Sequence, residues 1–251
     1  MMARPGRHAE SNGRYPRLFA RPFCAPEGEA PAAENLLSPA EQAHLLQLAT
    51  LVEYPRGGIR IFSEGEDAQA LYLLDTGVVR LSRHFRSGDR QVLSFMWPGD
   101  LIGLAEEGRY VNSAETLSAT TAFRLPLERL RRLLHGEPDL QLHLLAKATH
   151  ELRQAQRQII VLGQMGTVQR VVSFLLDTCR HASVYDRASG RLRLPMSRFD
   201  IADYLGTSAE SVTRAFAALE AAGLIRRTTP RSLELPDPAR LARFLTGAGA
   251  E

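Results

Sequence analysis

A run near the C-terminal end of the chain, SAESVTR at residues 208–214, places hydroxyls, a carboxylate and a guanidinium at helical spacing. Ser208 is suited to act as an N-cap, and the residues after it favour a helix. Glu210 and Arg214 lie four residues apart, so they share one helix face. Arginine can bind guanine O6 and N7 with two hydrogen bonds, and a carboxylate can accept one from cytosine N4. The same spacing also describes an ordinary solvent-exposed ion pair, so the run by itself supports either interpretation.

The elements around this run favour the first interpretation. Ser197, with Asp200 three residues later, predicts the capped start of one helix. Residues 206–208 (GTS) predict a tight turn, and a second helix follows as far as Gly223, a typical residue after a helix end. The segment IRRTTPRSLEL, residues 225–235, predicts two strands around a basic turn. Two helices joined by a short glycine-containing turn and followed by a hairpin form a winged helix-turn-helix.

Such a motif places the N-terminal residues of its second helix against base edges in the major groove. The predicted base contacts are therefore Ala209, Glu210, Thr213 and Arg214, the alanine and threonine being suited to a thymine methyl. Hydroxyl and basic side chains more often meet phosphates. The predicted backbone contacts are Ser197, Arg198, Ser208, Ser211, Arg226, Arg227 and Arg231.

Composition and charge agree with a DNA-binding protein without requiring one. The chain has 251 residues, 44% hydrophobic and 24% charged, and is long enough for two domains. From Gly163 onward it holds twelve arginines and nine acidic residues, so this segment carries the whole net charge of +3. No apolar run reaches the roughly 18 residues of a membrane helix, and the N-terminus has no apolar signal region. With two cysteines, a reducing cytoplasm is the expected location.

The N-terminal half predicts a β domain behind a tail. Residues 1–35 are rich in Arg, Pro, Gly, Ala and Glu, which predicts a flexible tail. SPAE at residues 38–41 is a capping box that starts a short helix. From Gly57 to about Leu125, short β-like runs alternate with regularly spaced glycines, which indicates a compact antiparallel β domain.

Between the two halves the apolar period changes to that of a helix. Six apolar residues are spaced alternately by three and four positions: Leu145, Ala148, Leu152, Ala155, Ile159 and Leu162. A helix that packs on its own β domain needs a broader apolar stripe, whereas a narrow one is typical of contact between two helices. We therefore predict that these residues form a dimer interface. Gly163 and Gly166 then interrupt the pattern, as a hinge would.

Three stretches of sequence resemble one known family. They are GGIRIFSEGEDAQALYLLDTGVVRLSR, PGDLIGL and LPMSRFDIADYLGTSAESVTRAFAALEAAGLI, and the chain resembles the Crp–Fnr regulators over about residues 36–245. The resemblance implies an α+β protein with an N-terminal antiparallel β-roll of the cyclic-nucleotide-binding type (36–137), a long dimerisation helix (138–163) and a C-terminal winged helix-turn-helix (164–251). Glu210, Thr213 and Arg214 match base-contacting positions of the fumarate–nitrate and FixK-type branches, which implies an inverted repeat of TTGA-like half-sites.

The effector positions depart from the family's cyclic-AMP receptors. Their phosphate-binding cassette has a Gly-Glu-Leu run and then an arginine before a small residue. Here residues 103–115 read GLAEEGRYVNSAE, with Asn112 in place of that arginine and with two added glutamates. An iron–sulfur cluster needs about four thiolates, but the chain has only Cys24 and Cys179. The predicted regulator therefore has no cofactor. The alternative is gating by a cyclic nucleotide or another small ligand in the β-roll pocket.

The histidines, the cysteines and the possible catalytic groups indicate no metal site and no enzyme. Of the seven histidines only His143 and His150 are related, by a heptad, so no metal site is predicted. Cys179 suits either an oxidant sensor or an inert buried thiol. No nucleophile–base–acid arrangement is visible, so an enzyme is not expected, although an enzyme appended to a DNA-binding module stays a rival interpretation.

The sequence and the resemblance together predict a cytoplasmic homodimeric transcription regulator. Its partners are double-stranded DNA, itself and, for an activator, RNA polymerase, with no membrane.

Overall fold

A computed structural model describes residues 4–5, 14–20 and 34–245. The chain forms two compact units. The first holds the described residues up to Arg83 together with Ser94–Ala155. The second holds His84–Leu93 and the described residues from Gln156 onward.

Seven helices and seventeen strands are present in the described residues. The helices are α1 (Pro39–Leu48), α2 (Leu127–His135), α3 (Pro138–Gln164), α4 (Thr167–Thr178), α5 (Arg198–Leu205), α6 (Ala209–Ala221) and α7 (Pro238–Leu245). The strands of the N-terminal half are β1 (Arg4–Pro5), β2 (Phe19–Ala20), β3 (Glu34–Asn35), β4 (Thr50–Tyr54), β5 (Arg60–Phe62), β6 (Ala70–Thr76), β7 (Val79–His84), β8 (Arg90–Met96), β9 (Leu101–Ile102), β10 (Ala105–Glu106), β11 (Arg109–Tyr110), β12 (Ser113–Thr116) and β13 (Thr120–Pro126). Those of the C-terminal half are β14 (Tyr185–Asp186), β15 (Arg191–Arg193), β16 (Arg226–Thr229) and β17 (Ser232–Glu234).

Two larger antiparallel sheets form most of the β domain, in the orders β1-β4-β13-β6-β9 and β5-β12-β7-β8, and β10 and β11 pair separately. Because side chains alternate along a strand, β6 contributes to two separate cores. Tyr72 and Leu74 join a cluster that includes Phe62 and Val79 from the other sheet. Leu73 points to the opposite face, in a cluster with leucines of α1, α2 and α3. The predicted β domain with both strand faces covered is thus confirmed.

Part of the N-terminal segment differs from the predicted flexible tail. Leu18 is 1% exposed and belongs to the core beside α1, α2 and α3. Its N–H donates to Asn35 Oδ1 at 3.0 Å, and the N–H of Phe19 donates to Gly99 O at 3.1 Å. For residues 14–20 the tail prediction is wrong, because one leucine that fills a distant core leaves no periodic signal in the sequence. Residues 1–3, 6–13 and 21–33 of the predicted tail lie outside the described residues.

Helix α3 presents different faces along its length. Leu140 and Lys147 are buried, whereas Leu145, Leu152 and Ile159 are exposed. Lys147, the chain's only lysine, binds Asp100 Oδ1 at 2.5 Å and Glu151 Oε1 at 2.8 Å. Burial disfavours the charged lysine, but these carboxylates outweigh it and raise the pKa of Lys147 above its usual value. The buried charge is therefore retained and paired.

The second unit contains the predicted helix-turn-helix. Helices α4 and α6 pack together, and each has a buried apolar face that includes Val171, Val172 and Leu175 on α4 and Phe216 and Leu219 on α6. A four-stranded sheet of order β14-β15-β17-β16 follows the helices. Strands β16 and β17 form the predicted hairpin. The α+β class predicted from the sequence is confirmed.

Candidate nucleic-acid interface

Helices α5 and α6 are delimited by the residues that the sequence indicated. At the start of α5, Ser197 Oγ accepts from the N–H of Asp200 at 3.1 Å, and Asp200 Oδ2 accepts from the N–H of Ser197 at 2.9 Å. Helix α5 ends at Gly206, whose φ of 60° and ψ of 46° are left-handed and suit glycine. Ser208 caps α6 by accepting from the N–H of Ser211 at 3.2 Å. These local bonds fix where α6 begins and thus which residues stand at its N-terminus.

The two faces of α6 have opposite character. Val212, Ala215, Phe216 and Leu219 are buried. Glu210, Thr213 and Arg214 are exposed on the other side, and Ala209 is partly buried at the first position. Ala217 is also exposed and follows Glu210 by seven residues, so it lies on the same face. The sequence interpretation missed Ala217, although its spacing could have indicated that a small residue there lets a partner approach closely.

The polar side chains at the start of α6 are connected in a short network. Arg214 Nη2 donates to Ser211 Oγ at 2.8 Å, and Ser208 Oγ donates to the same oxygen at 3.1 Å. Thr213 Oγ1 donates to the carbonyl of Ala209 at 2.8 Å, which leaves its methyl group available to a partner. Arg214 is thus held close to the helix by a neutral hydroxyl that a stronger acceptor can replace.

Glu210 interacts mainly with the start of its own helix. Its own backbone N–H and the hydroxyl of Ser208 lower the pKa of Glu210, and the charge of Arg214 adds a smaller effect in the same direction. An anionic side chain is favoured at a helix N-terminus because of the unpaired N–H groups there. Glu210 is therefore an ionised acceptor, exposed on the face that it shares with Thr213 and Arg214.

Arg198 is packed rather than freely extended. Its guanidinium lies 3.6 Å from the centre of the Phe216 ring. Burial, together with the charge of Arg227, lowers the pKa of Arg198 to about 10, so the side chain remains cationic at neutral pH. A cation held over an aromatic ring is attracted to the ring's face. Phe216 thus orients the arginine at the N-terminus of α5.

The three arginines of the hairpin have different environments. Arg226 Nε donates to Glu234 Oε2 at 2.9 Å. Arg227 Nε donates to Glu220 Oε2 at 2.6 Å, and its backbone N–H donates to Glu220 Oε1 at 2.9 Å. Arg231 is exposed at the turn between β16 and β17 and has no ion pair with another described residue. Of the three predicted backbone contacts on the hairpin, Arg231 alone presents a charge that no described carboxylate offsets.

The apolar residues predicted as a dimer interface lie on the surface of the protomer. Leu145, Ala148, Leu152, Ala155 and Ile159 are exposed, and Leu162 is partly buried. Leu152 is 58% exposed and Ile159 is 69% exposed. A row of large apolar side chains in contact with water is typical of an unoccupied interaction surface.

The interior of the β domain is filled by aromatic side chains of the chain itself. The rings of Phe62 and Tyr110 are stacked with centroids 4.0 Å apart. Tyr110, which lies in the stretch compared with the phosphate-binding cassette, donates from its hydroxyl to Ala70 O at 3.0 Å. Asn112 is 7% exposed, and its Oδ1 has no hydrogen-bond partner among the described residues. Tyr110 and Phe62 thus both belong to the buried cluster between the two sheets.

Three further observations concern other chemistry. Burial, assisted by the charge of Asp177, raises the pKa of the Cys179 thiol to about 12. No group of three or more His, Cys, Asp or Glu side chains is placed to hold a metal ion within residues 4–5, 14–20 and 34–245. His143 Nδ1 lies 2.9 Å from Glu41 Oε1 and is engaged there. None of the helices in the described part of the chain is long and apolar enough to cross a membrane.

The β domain, the helix with an exposed apolar row and the winged helix-turn-helix together define a DNA-binding regulator. Comparisons with known proteins agree. Residues 51–137 match the family described as a cyclic nucleotide-binding domain, and residues 169–244 match the Crp-like helix-turn-helix domain.

Relatives that match over most of their length indicate the branch of the family. The transcriptional activatory protein AadR of Rhodopseudomonas palustris is 34% identical over 218 residues, which are 86% of this chain and 89% of AadR. The nitrogen fixation regulation protein FixK of Bradyrhizobium diazoefficiens is 34% identical over 205 residues, 82% of this chain and 86% of FixK. The structure of FixK2 from Bradyrhizobium japonicum superposes with a TM-score of 0.72 at 32% identity, and the match covers 78% of this chain and 96% of FixK2. The chain belongs to the Crp–Fnr family and is a FixK-type DNA-binding transcription regulator.

Proposed function

We propose that the protein acts as a homodimer and reads an inverted repeat of TTGA-like half-sites through Glu210, Thr213 and Arg214, without a cyclic nucleotide or an iron–sulfur cluster. The observation that carries the proposal is the exposed face of α6. Glu210, Thr213 and Arg214 lie there without an ion pair to another described residue, at the end of the helix that enters the major groove in this motif.

The three side chains offer complementary readout. Arg214 can exchange its bond to Ser211 Oγ for two bonds to guanine O6 and N7. The ionised Glu210 can accept from cytosine N4 and is repelled by acceptors at the same place. The Thr213 methyl can contact a thymine methyl, because its hydroxyl is already bound to Ala209 O. Ala209 and Ala217 leave room for the bases.

Homodimer formation is proposed through α3. The exposed residues Leu145, Leu152 and Ile159 recur every seven positions, so a second copy of α3 can bury them in a continuous seam. In such a dimer a two-fold axis relates the two copies of α6. Each copy then faces one of two inverted half-sites, whose centres are about 10 base pairs apart. Four-base half-sites at that spacing leave about six base pairs between TTGA and TCAA.

Binding of DNA without an effector is supported by the interior of the β domain. Tyr110 and Phe62 occupy it, and Asn112 offers no positive charge to a phosphate. The Oδ1 of Asn112, which is paired with no described residue, is the observation that favours the alternative, a regulator gated by a cyclic nucleotide or another small ligand. A ligand that entered the cluster of Phe62 and Tyr110 would have to compete with the bond from the Tyr110 hydroxyl to Ala70 O.

The decisive experiment is a gel-shift titration of purified protein on a TTGA–TCAA duplex. A duplex of the same composition with scrambled half-sites serves as the control, and both titrations are run with and without cyclic AMP. We expect protein alone to prefer the repeat by at least about 1,000-fold, the lower end for specific regulators. Binding that needs cyclic AMP would favour the gated alternative. Equal binding to both duplexes would contradict the proposed half-site.

Two further roles follow from the same assignment. A protein that reads chromosomal DNA in a bacterium acts in the cytoplasm, which is the proposed location. One relative carries the name of a transcriptional activatory protein. If this chain also activates, RNA polymerase is its further partner, and transcription from a promoter with the repeat, with and without the protein, separates activation from repression.

A further inference from the structure

The carbonyl groups at the C-terminal end of α5 accept hydrogen bonds from side chains of three other segments of the second unit. A helix end leaves its last four carbonyls without helical partners. In α5, Ala202 O accepts from the backbone N–H of Thr207 at 3.1 Å. The next three carbonyls accept from side chains: Asp203 O from Gln91, Tyr204 O from Gln158 at 3.0 Å and Leu205 O from Arg170 at 2.9 Å. Every one of the four groups is thus paired within the protein.

Arg90, which precedes Gln91 in the chain, binds two carboxylates of α5. Arg90 Nη2 donates to Asp200 Oδ1 at 2.9 Å, and Arg90 Nε donates to Asp203 Oδ2 at 2.8 Å. Asp200 is 5% exposed, and its other oxygen accepts from the N–H of Ser197 at the N-cap. Arg90 therefore neutralises a buried carboxylate that also defines the start of α5. A buried charge that loses its partner is strongly destabilising.

Arg170 adds a second fixed point. Its Nε donates to Met165 O at 2.8 Å and its Nη2 to Leu162 O at 2.8 Å, while Nη1 donates to Leu205 O. One guanidinium thus ties the end of α3 to the end of α5. A positive charge is also favoured at this position, because it lies at the carbonyl end of a helix.

These hydrogen bonds to α5 also determine the position of α6, the helix proposed to read the bases. Only the residues Gly206, Thr207 and Ser208 separate α5 from α6, so a shift or rotation of α5 moves the N-cap of α6 and with it Glu210 and Arg214. Hydrogen bonds to base edges depend on distances of about 3 Å and on direction, whereas contacts with phosphates tolerate small shifts. Loosening α5 should therefore harm sequence-specific binding more than non-specific binding.

We propose that Arg90 and Gln91 are positioning residues for DNA recognition: residues 84–93 hold α5, and through it α6, in the orientation needed for base readout. The inference rests on the proposed function. No part of it requires Arg90 to touch DNA, because its guanidinium is already bound by Asp200 and Asp203.

The test compares Arg90→Ala with Arg86→Ala. Arg86 is an exposed arginine in the same segment, so both variants lose one positive charge. We expect Arg90→Ala to weaken binding to the TTGA–TCAA duplex by about tenfold or more and binding to the scrambled duplex by less than about twofold. Arg86→Ala should change the ratio of the two affinities little, and Arg90→Lys should restore part of it. A ratio for Arg90→Ala equal to that of the wild type would overturn the proposal.

Asp203→Asn covers the case in which Arg90→Ala does not fold, since it keeps the shape of the side chain and removes the charge. It should lower the same ratio, and in a double mutant with Arg90→Ala the two effects should not add. A full loss of ratio in one variant with none in the other would contradict action through this pair.

Hydrogen exchange of the α5–α6 amides separates this proposal from the proposed function. Residues 202–212 should exchange faster in Arg90→Ala, or in Asp203→Asn, and not in Arg86→Ala. If wild-type protein does not distinguish the duplexes, the half-site proposal fails and exchange alone decides whether Arg90 positions α5. Unchanged exchange in both Arg90→Ala and Asp203→Asn would refute the positioning role whatever the DNA result.

Discussion

Arg214 and Ser211 are joined by a hydrogen bond of 2.8 Å from the guanidinium to the hydroxyl, on the exposed face of α6. The arginine therefore has its nearest partner one turn back on its own helix, and this partner is neutral. Glu210, one residue earlier, is stabilised mainly by its own backbone N–H and by Ser208. Both charged side chains are thus oriented by the start of the helix and can still bind a partner. The first predictions test this arrangement.

Replacing Arg214 by alanine should remove two hydrogen bonds to a guanine. We expect Arg214→Ala to cost about 1–3 kcal/mol of discrimination at the guanine of each half-site. Competition gel shifts with adenine in place of that guanine measure the effect. Arg187→Ala, which removes an exposed arginine outside α5, α6 and the hairpin, is the control for the loss of one positive charge. A variant that prefers guanine as strongly as the wild type would show that Arg214 reads no base there.

Replacing Glu210 by alanine should change selectivity rather than affinity. The carboxylate is repelled by acceptors such as thymine O4, so it excludes wrong bases. Glu210→Ala should bind non-specific DNA as well as the wild type or slightly better, with relaxed base choice at one half-site position. Parallel selections from a randomised library decide, and identical recovered motifs would mean that Glu210 has only a surface role.

The selectivity should also depend on pH through Glu210. Because the pKa of Glu210 in the folded protein lies below its usual value, the ionised side chain and its selectivity should persist as the pH falls to the ordinary glutamate range.

The apolar row on α3 predicts the oligomeric state. Leu152→Glu combined with Ile159→Glu should put like charges opposite each other across a two-fold axis and separate the dimer. Sedimentation at micromolar concentration should then give about half the mass of the wild type. Leu104→Glu is the matched control, because Leu104 is 59% exposed and lies outside α3. A double variant that remains dimeric would contradict the proposed interface.

The hairpin arginines should contribute unequally to binding. Arg231→Ala should weaken binding to all sequences alike and reduce the slope of log K against log salt by about one phosphate contact. Arg226→Ala and Arg227→Ala should have smaller effects, because Glu234 and Glu220 already hold those side chains. Titrations of the TTGA–TCAA duplex and of its scrambled control at several salt concentrations measure the slopes. The largest slope change in Arg226→Ala would show that its pair with Glu234 opens on DNA.

The Cys179 thiol should be unreactive in the folded protein. A pKa of about 12 leaves very little thiolate at neutral pH, and the thiolate is the reactive form. Iodoacetamide should therefore modify Cys179 far more slowly in native protein than in urea, as measured by mass spectrometry of its tryptic peptide. DNA binding should survive mild treatment with peroxide. Rapid native labelling would instead favour a role as an oxidant sensor.

Sequence reasoning succeeded where the interacting residues are neighbours in the chain. The capping pairs Ser38–Glu41 and Ser197–Asp200 are three residues apart, so the pattern of residue types alone predicts them, and both are present. The same holds for the alternation of Leu73 and Leu74 between two cores. Family resemblance added the domain order, which local patterns do not contain.

Tertiary structure decided what depends on residues far apart in the chain. Leu18 fills a core beside α1, α2 and α3, although its surroundings in sequence read as a tail. Arg90 meets Asp200 and Asp203 across more than 100 residues, and no spacing rule connects positions so distant. The sequence by itself therefore determined the elements, the caps and the charged face of α6, because these follow from short-range periodicity and hydrogen bonding. Which arginines stay free and what holds the reading helix in place depended on packing, since only the folded chain brings each guanidinium to its carboxylate.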